Sequence, residues 1–361
     1  MKTSALDYAL PDDLIAQVPI EPRDRSRLLV LHRDSGDIEH RVFEDVGVYL
    51  RPDDTLVANE SRVIPARMAA RKEPSGGQVE VLLLRKLDDL KWRALLGGAR
   101  TREGSKIRFL QADTASSLTA EVIESGDRGE RTLRFSEPVE RYFEALGHMP
   151  LPPYIHAPLH DPERYQTIYA RTPGSAAAPT AGLHFTPDLL LALRDAGVKL
   201  TYVTLHVGLD TFRPISESTV EGHQIHSEWC RVDTATVERI NRSKVMGRRA
   251  VAVGTTSVRV LETAARHGLL QTPGGATRDV PDAMCPWRPL APFEGFTDLY
   301  ITPGFRFRVV DALVTNFHLP RSSLLALVMA FAGEDLIRDA YQTAIRERYR
   351  FYSFGDAMLI L

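Results

Sequence analysis

Neutral imidazole is the side chain best matched to proton transfer near pH 7, and this chain places His184, His206, His223, His226 and His318 at loop positions of its second half. His184 belongs to Ala178-Pro179-Thr180-Ala181-Gly182-Leu183-His184-Phe185-Thr186, whose small residues, Thr180 and Gly182 among them, let backbone approach a ligand. Thr186 before Pro187 reads as an N-cap with a first-turn proline. His184 would then stand just ahead of a helix N-terminus, where amides and the helix dipole favour an anion or a polarised oxygen. The same residues would serve equally for tight packing around a hydrogen-bonded histidine. Gly254-Thr255-Thr256-Ser257 offers N–H groups, three hydroxyls and a helix start to a carboxylate, ribose or phosphate, with Arg259 placed to clamp an acid; simple N-capping is the alternative. It lacks the Gly-Lys-Ser/Thr ending of a Walker loop, and the chain has no GxGxxG fingerprint. His223-Gln224-Ile225-His226-Ser227-Glu228 superficially resembles a metal-ligand cluster. The zincin pattern, however, needs histidines four apart around a Glu, and Gly222 with Ile225 reads as a loop entering a strand. Acid/base work by His226 and Glu228, and plain structural hydrogen bonding, both stay open.

Strands must position these groups. Val198 to Val207, Arg249 to Val253 and Phe307 to Val314 are apolar runs. They end respectively in His206-Val207-Gly208, in Gly254-Thr255-Thr256-Ser257 before a helix from Val258 to His267, and in Thr315-Asn316-Phe317-His318 before a helix starting near Ser322. Strand, polar loop, helix, repeated, is the grammar of a parallel sheet with its site at the strands' carboxyl ends. Thr55 to Ala58, ending in Asn59-Glu60-Ser61-Arg62, fits the same pattern. Residues 26 to 43 read as a hairpin turning at Asp34-Ser35-Gly36-Asp37. Leu324 to Phe331 is apolar all round and should form a central helix.

From about residue 63 short alternating strands are separated by Gly76-Gly77, Gly97-Gly98 and Gly126-Asp127, the texture of a small all-β barrel or sandwich. The expected architecture is therefore α/β. A barrel-like main domain over 1–61 and 149–361 carries an inserted, barrel-like β domain over 62–148. The formal net charge of −2 hides an asymmetry: residues 62 to 108 hold twelve Lys and Arg against five Asp and Glu. Such a module suits phosphate contact, although a solvated basic face would look the same. The amino terminus lacks an apolar leader core, and Leu324 to Ala332 is far shorter than the roughly 20 residues of a membrane span. Two cysteines, Cys230 and Cys285, make no disulfide framework and no zinc spacing, which suits a reducing cytoplasm.

Taken together, several ordered segments resemble one family. They include Tyr165-Gln166-Thr167-Ile168-Tyr169-Ala170, Ala177 to Phe185, Thr204-Leu205-His206-Val207-Gly208, His226-Ser227-Glu228, Val253 to Arg259, Thr315 to Pro320 and Tyr349 to Met358. The family is the S-adenosylmethionine:tRNA ribosyltransferase-isomerases of queuosine biosynthesis. The likeness extends to Asp7–Ile15, Arg62–Arg67 and Gly147–Tyr154. Three positions depart from the family pattern: Glu60, where Asn or Asp commonly follows Asn59; Asp210, where glycine is usual; and Ile225, where methionine is common. The resemblance implies transfer and isomerisation of the ribosyl part of S-adenosylmethionine onto 7-aminomethyl-7-deazaguanine at the tRNA wobble position, with adenine and methionine released. It further implies no metal and no cofactor beyond the consumed S-adenosylmethionine, a cytoplasmic location, no membrane, and a monomer.

That chemistry needs a base for a C5′ hydrogen acidified by the sulfonium, a proton for departing adenine, and an amine in its free-base form. The acid/base candidates are His184, His226, Glu228, His206 and His318. Substrate contacts are assigned to Thr180, Gly182, Gly254, Thr255, Thr256, Ser257, Arg259 and Asn316. Arg62, Arg67, Arg71 and Lys72 are assigned to tRNA, with the Arg346, Arg348, Arg350 row as further phosphate candidates. Two rivals remain: a metal hydrolase built on His223, His226 and Glu228, and a non-catalytic RNA-binding protein, which leaves the histidines and the Gly254–Ser257 loop unexplained.

Overall fold

Four short apolar runs, Thr55–Asn59, Lys199–Leu205, Ala250–Val253 and Ala312–Asn316, lie side by side as parallel strands in the computed structural model, which describes residues 1–112, 114–126, 129–208, 214–270 and 289–361. Cys285 and Asp210 lie outside the described residues. Continuous apolar sequence is what a sheet covered on both faces requires; Thr55–Asn59, Ala250–Val253 and Ala312–Asn316 are buried at every position. These four are the centre of a nine-stranded sheet ordered Phe293–Thr297, Glu228–Val232, Lys199–Leu205, Thr55–Asn59, Ala250–Val253, Ala312–Asn316, Ala357–Ile360, Arg27–Leu31, Ile38–Val42. Antiparallel pairings extend it on both sides, and the Ala357–Ile360 strand then runs parallel to Arg27–Leu31. Among the described residues no pairing joins the outermost strands, so this is an open sheet in place of the barrel-like closure expected for the main domain.

Two helices start where their sequences announce it, whereas the helix expected from Val258 already begins at Gly254, so that Gly254-Thr255-Thr256-Ser257 forms its first turn. Thr186 Oγ1 accepts the Leu189 N–H at 3.2 Å to cap Pro187–Asp195, and Ser322 Oγ accepts that of Leu325 at 3.1 Å to cap Ser323–Ala332. The latter helix is buried along most of its length, as its apolar sequence requires. The third crossover strand begins at Ala312, later than its apolar run suggests. The amides of Arg308, Val309 and Val310 are taken at 2.9, 3.0 and 3.1 Å by the fully buried Glu262 carboxylate of helix Gly254–Leu270, which engages them outside the sheet.

The chain forms two units, one of Met1–Ser61, Pro153–Thr172 and Pro179–Leu361, the other of Arg62–Pro152 and Pro173–Ala178. In the second, strands Arg67–Glu73, Gln78–Lys86, Lys91–Gly98, Glu130–Phe135, Thr114–Ser125 and Lys106–Gln111 pair antiparallel in that order. Lys106–Gln111 then returns to Arg67–Glu73, closing a six-stranded ring that removes free edges. Val81, Leu83, Ile107, Phe109, Val122 and Leu133 are among its buried residues.

Carboxylates hold the amino-terminal edge of the main sheet. Asp54, fully buried, accepts Arg249 Nε at 3.0 Å and Nη2 at 2.6 Å, the Arg249 N–H at 3.0 Å and the Arg51 N–H at 2.9 Å. Asp311 accepts Lys244 Nζ and the Ala250 N–H, both at 2.7 Å. Removing one partner of such a pair strands the other. Asp54→Ala is therefore expected to lose about 3–5 kcal/mol of urea-measured stability in this unit; a loss below about 1 kcal/mol would show that the carboxylate is not what holds Arg249.

Candidate active site

Because the four central strands share one direction and are closely in register, their carboxyl ends, Asn59-Glu60, Leu205-His206, Val253-Gly254 and Asn316-Phe317, meet one edge of the sheet. Ligands of open α/β sheets bind in the crevice outside that edge. Asn59, fully buried, stitches two strand ends together. Its Nδ2 donates to the Leu205 carbonyl at 3.0 Å, and its Oδ1 accepts the Leu205 N–H at 3.0 Å and Ser61 Oγ at 2.9 Å. Next to it, Glu60 accepts the hydroxyls of Thr172 and Thr204 at 3.2 and 3.4 Å and pairs with Arg171 Nε at 2.6 Å.

Glu228 opens the neighbouring antiparallel strand and is buried. One oxygen accepts the Gly208 N–H at 2.8 Å, and the other meets Arg259 Nη1 in a close ion pair. Arg259 in turn donates from Nε to the Leu299 carbonyl at 3.2 Å and from Nη2 to that of Thr297 at 3.4 Å. Both groups are thus committed to protein partners. Ser257 is committed too, its hydroxyl donating to the Val253 carbonyl at 2.7 Å. Thr180 Oγ1 donates to Asn316 Oδ1 at 2.9 Å, and Asn316 Nδ2 to the Tyr352 carbonyl at 3.2 Å, so the Thr180–His184 turn is tied to the last parallel strand.

Two glycines permit close approach here. Gly254 has φ +83°, and a Cβ on it would lie 3.7 Å from that of Ala181. A Cβ on Gly182 would sit 2.1 Å from Tyr169 Oη and 2.9 Å from Thr167 Cγ2. The hydroxyls of Tyr169, Thr167 and Thr256 are all buried with no hydrogen-bond partner among the described residues, and burial pushes the Tyr169 phenol well above its ordinary pKa. Unpartnered hydroxyls clustered around two glycine-containing turns are donors and acceptors in want of a ligand. Of these, only Thr256 was legible as a site residue; Tyr169 and Thr167 stand in the Tyr165–Ala170 motif, and no spacing rule singles them out.

The histidines divide by environment. His184 is buried, stacked on Phe43 with ring centroids 4.9 Å apart. Its Nδ1 is 3.1 Å from the Ala181 carbonyl and its Nε2 3.0 Å from that of Gly355. Burial lowers its pKa, opposed by those two carbonyls. His318 Nε2 lies 2.8 Å from Thr315 Oγ1, and burial pushes its pKa down to about 3. His206 stacks on Trp229 at 5.1 Å, its Nδ1 buried and unpartnered among the described residues, and burial lowers it to about 4. His223 Nδ1 is 3.0 Å from Glu217 Oε2 and its ring packs edge-on to Tyr300. His226 is half-buried in the loop entering the Glu228–Val232 strand, two residues before Glu228. Among the described residues no group of three or more His, Cys, Asp or Glu is placed to hold a metal ion.

The four cations assigned to tRNA belong to the barrel unit. Arg62 is half-buried, Arg67 pairs with Glu80 at 2.5 Å, Lys72 Nζ donates to the Arg100 carbonyl at 2.9 Å, and Arg71 is exposed. In the main unit Arg348 meets Asp13, and Arg350 donates to the Val18 and Phe354 carbonyls.

His206 and His318 set an acid limit on stability. Below pH about 6.5 an unfolded histidine takes up a proton that these folded rings refuse until about 4 and 3, so stability present above 6.5 falls as pH falls toward those values. The expected slope is at most about 1.4 kcal/mol per pH unit for each ring. Urea titrations at pH 7, 6 and 5 should show the decline, and His318→Gln should flatten it relative to its own pH 7 value. An equal slope in both proteins would remove His318 as a cause.

The family model described as "Queuosine biosynthesis protein" matches residues 3–360. The S-adenosylmethionine:tRNA ribosyltransferase-isomerase of Symbiobacterium thermophilum is 52% identical over 364 residues, covering 100% of both chains. Its namesake from Dehalococcoides mccartyi is 49% identical over 362 residues, again covering 100% of both. The crystal structure of S-adenosylmethionine tRNA ribosyltransferase from Thermotoga maritima is 40% identical, covers 99% of this chain and 100% of that one, and superposes with a TM-score of 0.54. Matched from end to end by that model and by relatives at about half identity, the chain belongs to the queuosine biosynthesis protein family.

Proposed function

We propose that this chain is an S-adenosylmethionine-dependent tRNA ribosyltransferase-isomerase. It moves the ribosyl group of S-adenosylmethionine onto 7-aminomethyl-7-deazaguanine at the wobble position, leaving an epoxycyclopentanediol and releasing adenine and methionine. The observation that carries this reading is full-length identity to relatives bearing that name. The sheet edge supports it, because the family's motif segments supply both its committed polar pairs and its unsatisfied hydroxyls.

The turns at Thr180–Gly182 and Gly254–Thr256 hold S-adenosylmethionine in this reading, with the free hydroxyls of Thr256, Thr167 and Tyr169 meeting its polar groups. Thr255 belongs to the same buried turn. His226 is the leading group for proton transfer. His206, neutral and weakly basic at about 4, offers a ring nitrogen as a hydrogen-bond partner. His184, His318, Glu228, Arg259, Asn316 and Ser257 act as positioning residues, since protein atoms already engage them. Arg62, Arg67, Arg71 and Lys72 contact tRNA. The protein works in the cytoplasm as a monomer and needs no metal.

Incubation with S-adenosylmethionine and tRNA bearing the precursor base should release adenine; absence of adenine release would refute the reading. His226→Ala, checked for folding by circular dichroism, should lower kcat by about 10²- to 10⁴-fold; a loss within tenfold would take proton transfer away from His226. Thr256→Val removes one ligand hydrogen bond worth about 0.5–1.5 kcal/mol and should raise the KM for S-adenosylmethionine roughly three- to tenfold. An unchanged KM would place the ligand elsewhere.

A further inference from the structure

The barrel closes where Lys106–Gln111 pairs with Arg67–Glu73, and at that seam Arg71 stands directly opposite Arg108. Opposed residues of an antiparallel pair project from one face with Cβ atoms about 5 Å apart, so like charges there repel. The end pair of the seam, Glu73 opposite Lys106, is of opposite sign, and Lys106 faces Glu121 on its other side. Elsewhere on the barrel the opposed Arg134 and Lys91 are each relieved by an acid, Glu121 at 2.8 Å and Asp88 at 2.9 Å. At the seam Glu73 pairs at 2.6 Å with Arg108, which also donates to the Ser116 carbonyl at 3.3 Å, while Arg71 is exposed with no acid of its own among the described residues. A groove of about 670 Å³ lies over this seam, lined by Arg71, Lys72, Lys106 and Arg108 against the one carboxylate of Glu73.

We propose that this groove binds the phosphodiester backbone of the tRNA substrate. It deepens the activity proposed above and rests on it for the identity of the RNA. Arg71, exposed on a solvent groove opposite an arginine that already holds the nearby acid, lacks an anion, and phosphate is the anion that guanidinium groups meet with two parallel hydrogen bonds. Lys106 and Arg108, two residues apart on one strand, project about 7 Å from each other, the order of separation of successive phosphates on one RNA strand. The groove presents cations and aliphatic stems in place of base-reading edges. It therefore holds RNA without regard to sequence and leaves recognition of the wobble base to the other unit.

Two measurements on the full-length protein decide it. The Arg71→Ala/Lys106→Ala double variant should bind precursor tRNA more weakly, and the slope of log Kd against log salt should shrink by about 2, roughly one for each phosphate no longer neutralised. Arg134→Ala, outside the groove, should leave that slope unchanged. Arg71→Glu places an acid opposite Arg108, so its melting temperature should equal or exceed that of the parent while tRNA binding weakens, an outcome that loss of fold cannot mimic. Equal salt slopes for parent and double variant would overturn the proposal. So would loss of inorganic pyrophosphate binding with tRNA binding unchanged, which would mark a small-anion site. The activity reading fails separately, through absence of adenine release by the unaltered protein.

Discussion

A single buried ion pair, Glu228 with Arg259, ties together the antiparallel side of the sheet's carboxyl edge and the helix that follows the Ala250–Val253 strand. Glu228 begins the strand that extends the parallel core, and Arg259 sits in the first turns of the helix that follows the Ala250–Val253 strand. Through the Gly208 amide and the Thr297 and Leu299 carbonyls the pair also binds the loop after Lys199–Leu205 and the end of the outermost strand. Taking two charges out of water costs several kcal/mol for each ion, and a well-packed apolar pair would often be as stable. What an apolar pair could not do is satisfy one amide and two carbonyls at fixed angles. The pair therefore specifies where the Gly208 amide and the Thr297 and Leu299 carbonyls stand relative to the helix that carries Arg259.

Periodicity and local chemistry carried much of the fold. The hairpin at Arg27–Val42, the parallel strands at Thr55, Lys199 and Ala250, the caps at Thr186 and Ser322 and the all-apolar helix Ser323–Ala332 follow from alternation, apolar runs and capping preferences acting within a few residues. The late start of the Ala312–Asn316 strand could not be read in this way. Its cause, Glu262, is 46 residues from the first amide it accepts. The open form of the main sheet was equally hidden, because strand order depends on pairings between distant segments.

For the site, motif position and side-chain availability proved to be different properties. His184, His206 and His318 do stand at or near strand and helix ends, yet burial fixes their rings as neutral, and His184 meets carbonyls at both nitrogens. Lodged between two backbone carbonyls, the neutral ring of His184 has one N–H and can donate to one of them at a time, so it serves packing and position. The hydroxyls of Tyr169 and Thr167 show the converse. They are ordinary side chains by type, marked out only by the lack of a partner, among the described residues, in a buried place.

Charge behaves in the same way. Twelve basic residues between positions 62 and 108 describe a reservoir, and pairing decides how much of it is available. Arg67, Lys86, Lys91, Arg93 and Arg108 are each matched by an acid, pairs whose individual contribution at an exposed surface is small. Arg71, on the barrel seam, is among the exposed cations with no acid of their own among the described residues. Cations gathered along one groove attract a polyanion there, whereas an evenly basic surface would hold it in many orientations. The near-neutral total charge is thus compatible with an RNA substrate, because local imbalance orients the encounter and net charge does not.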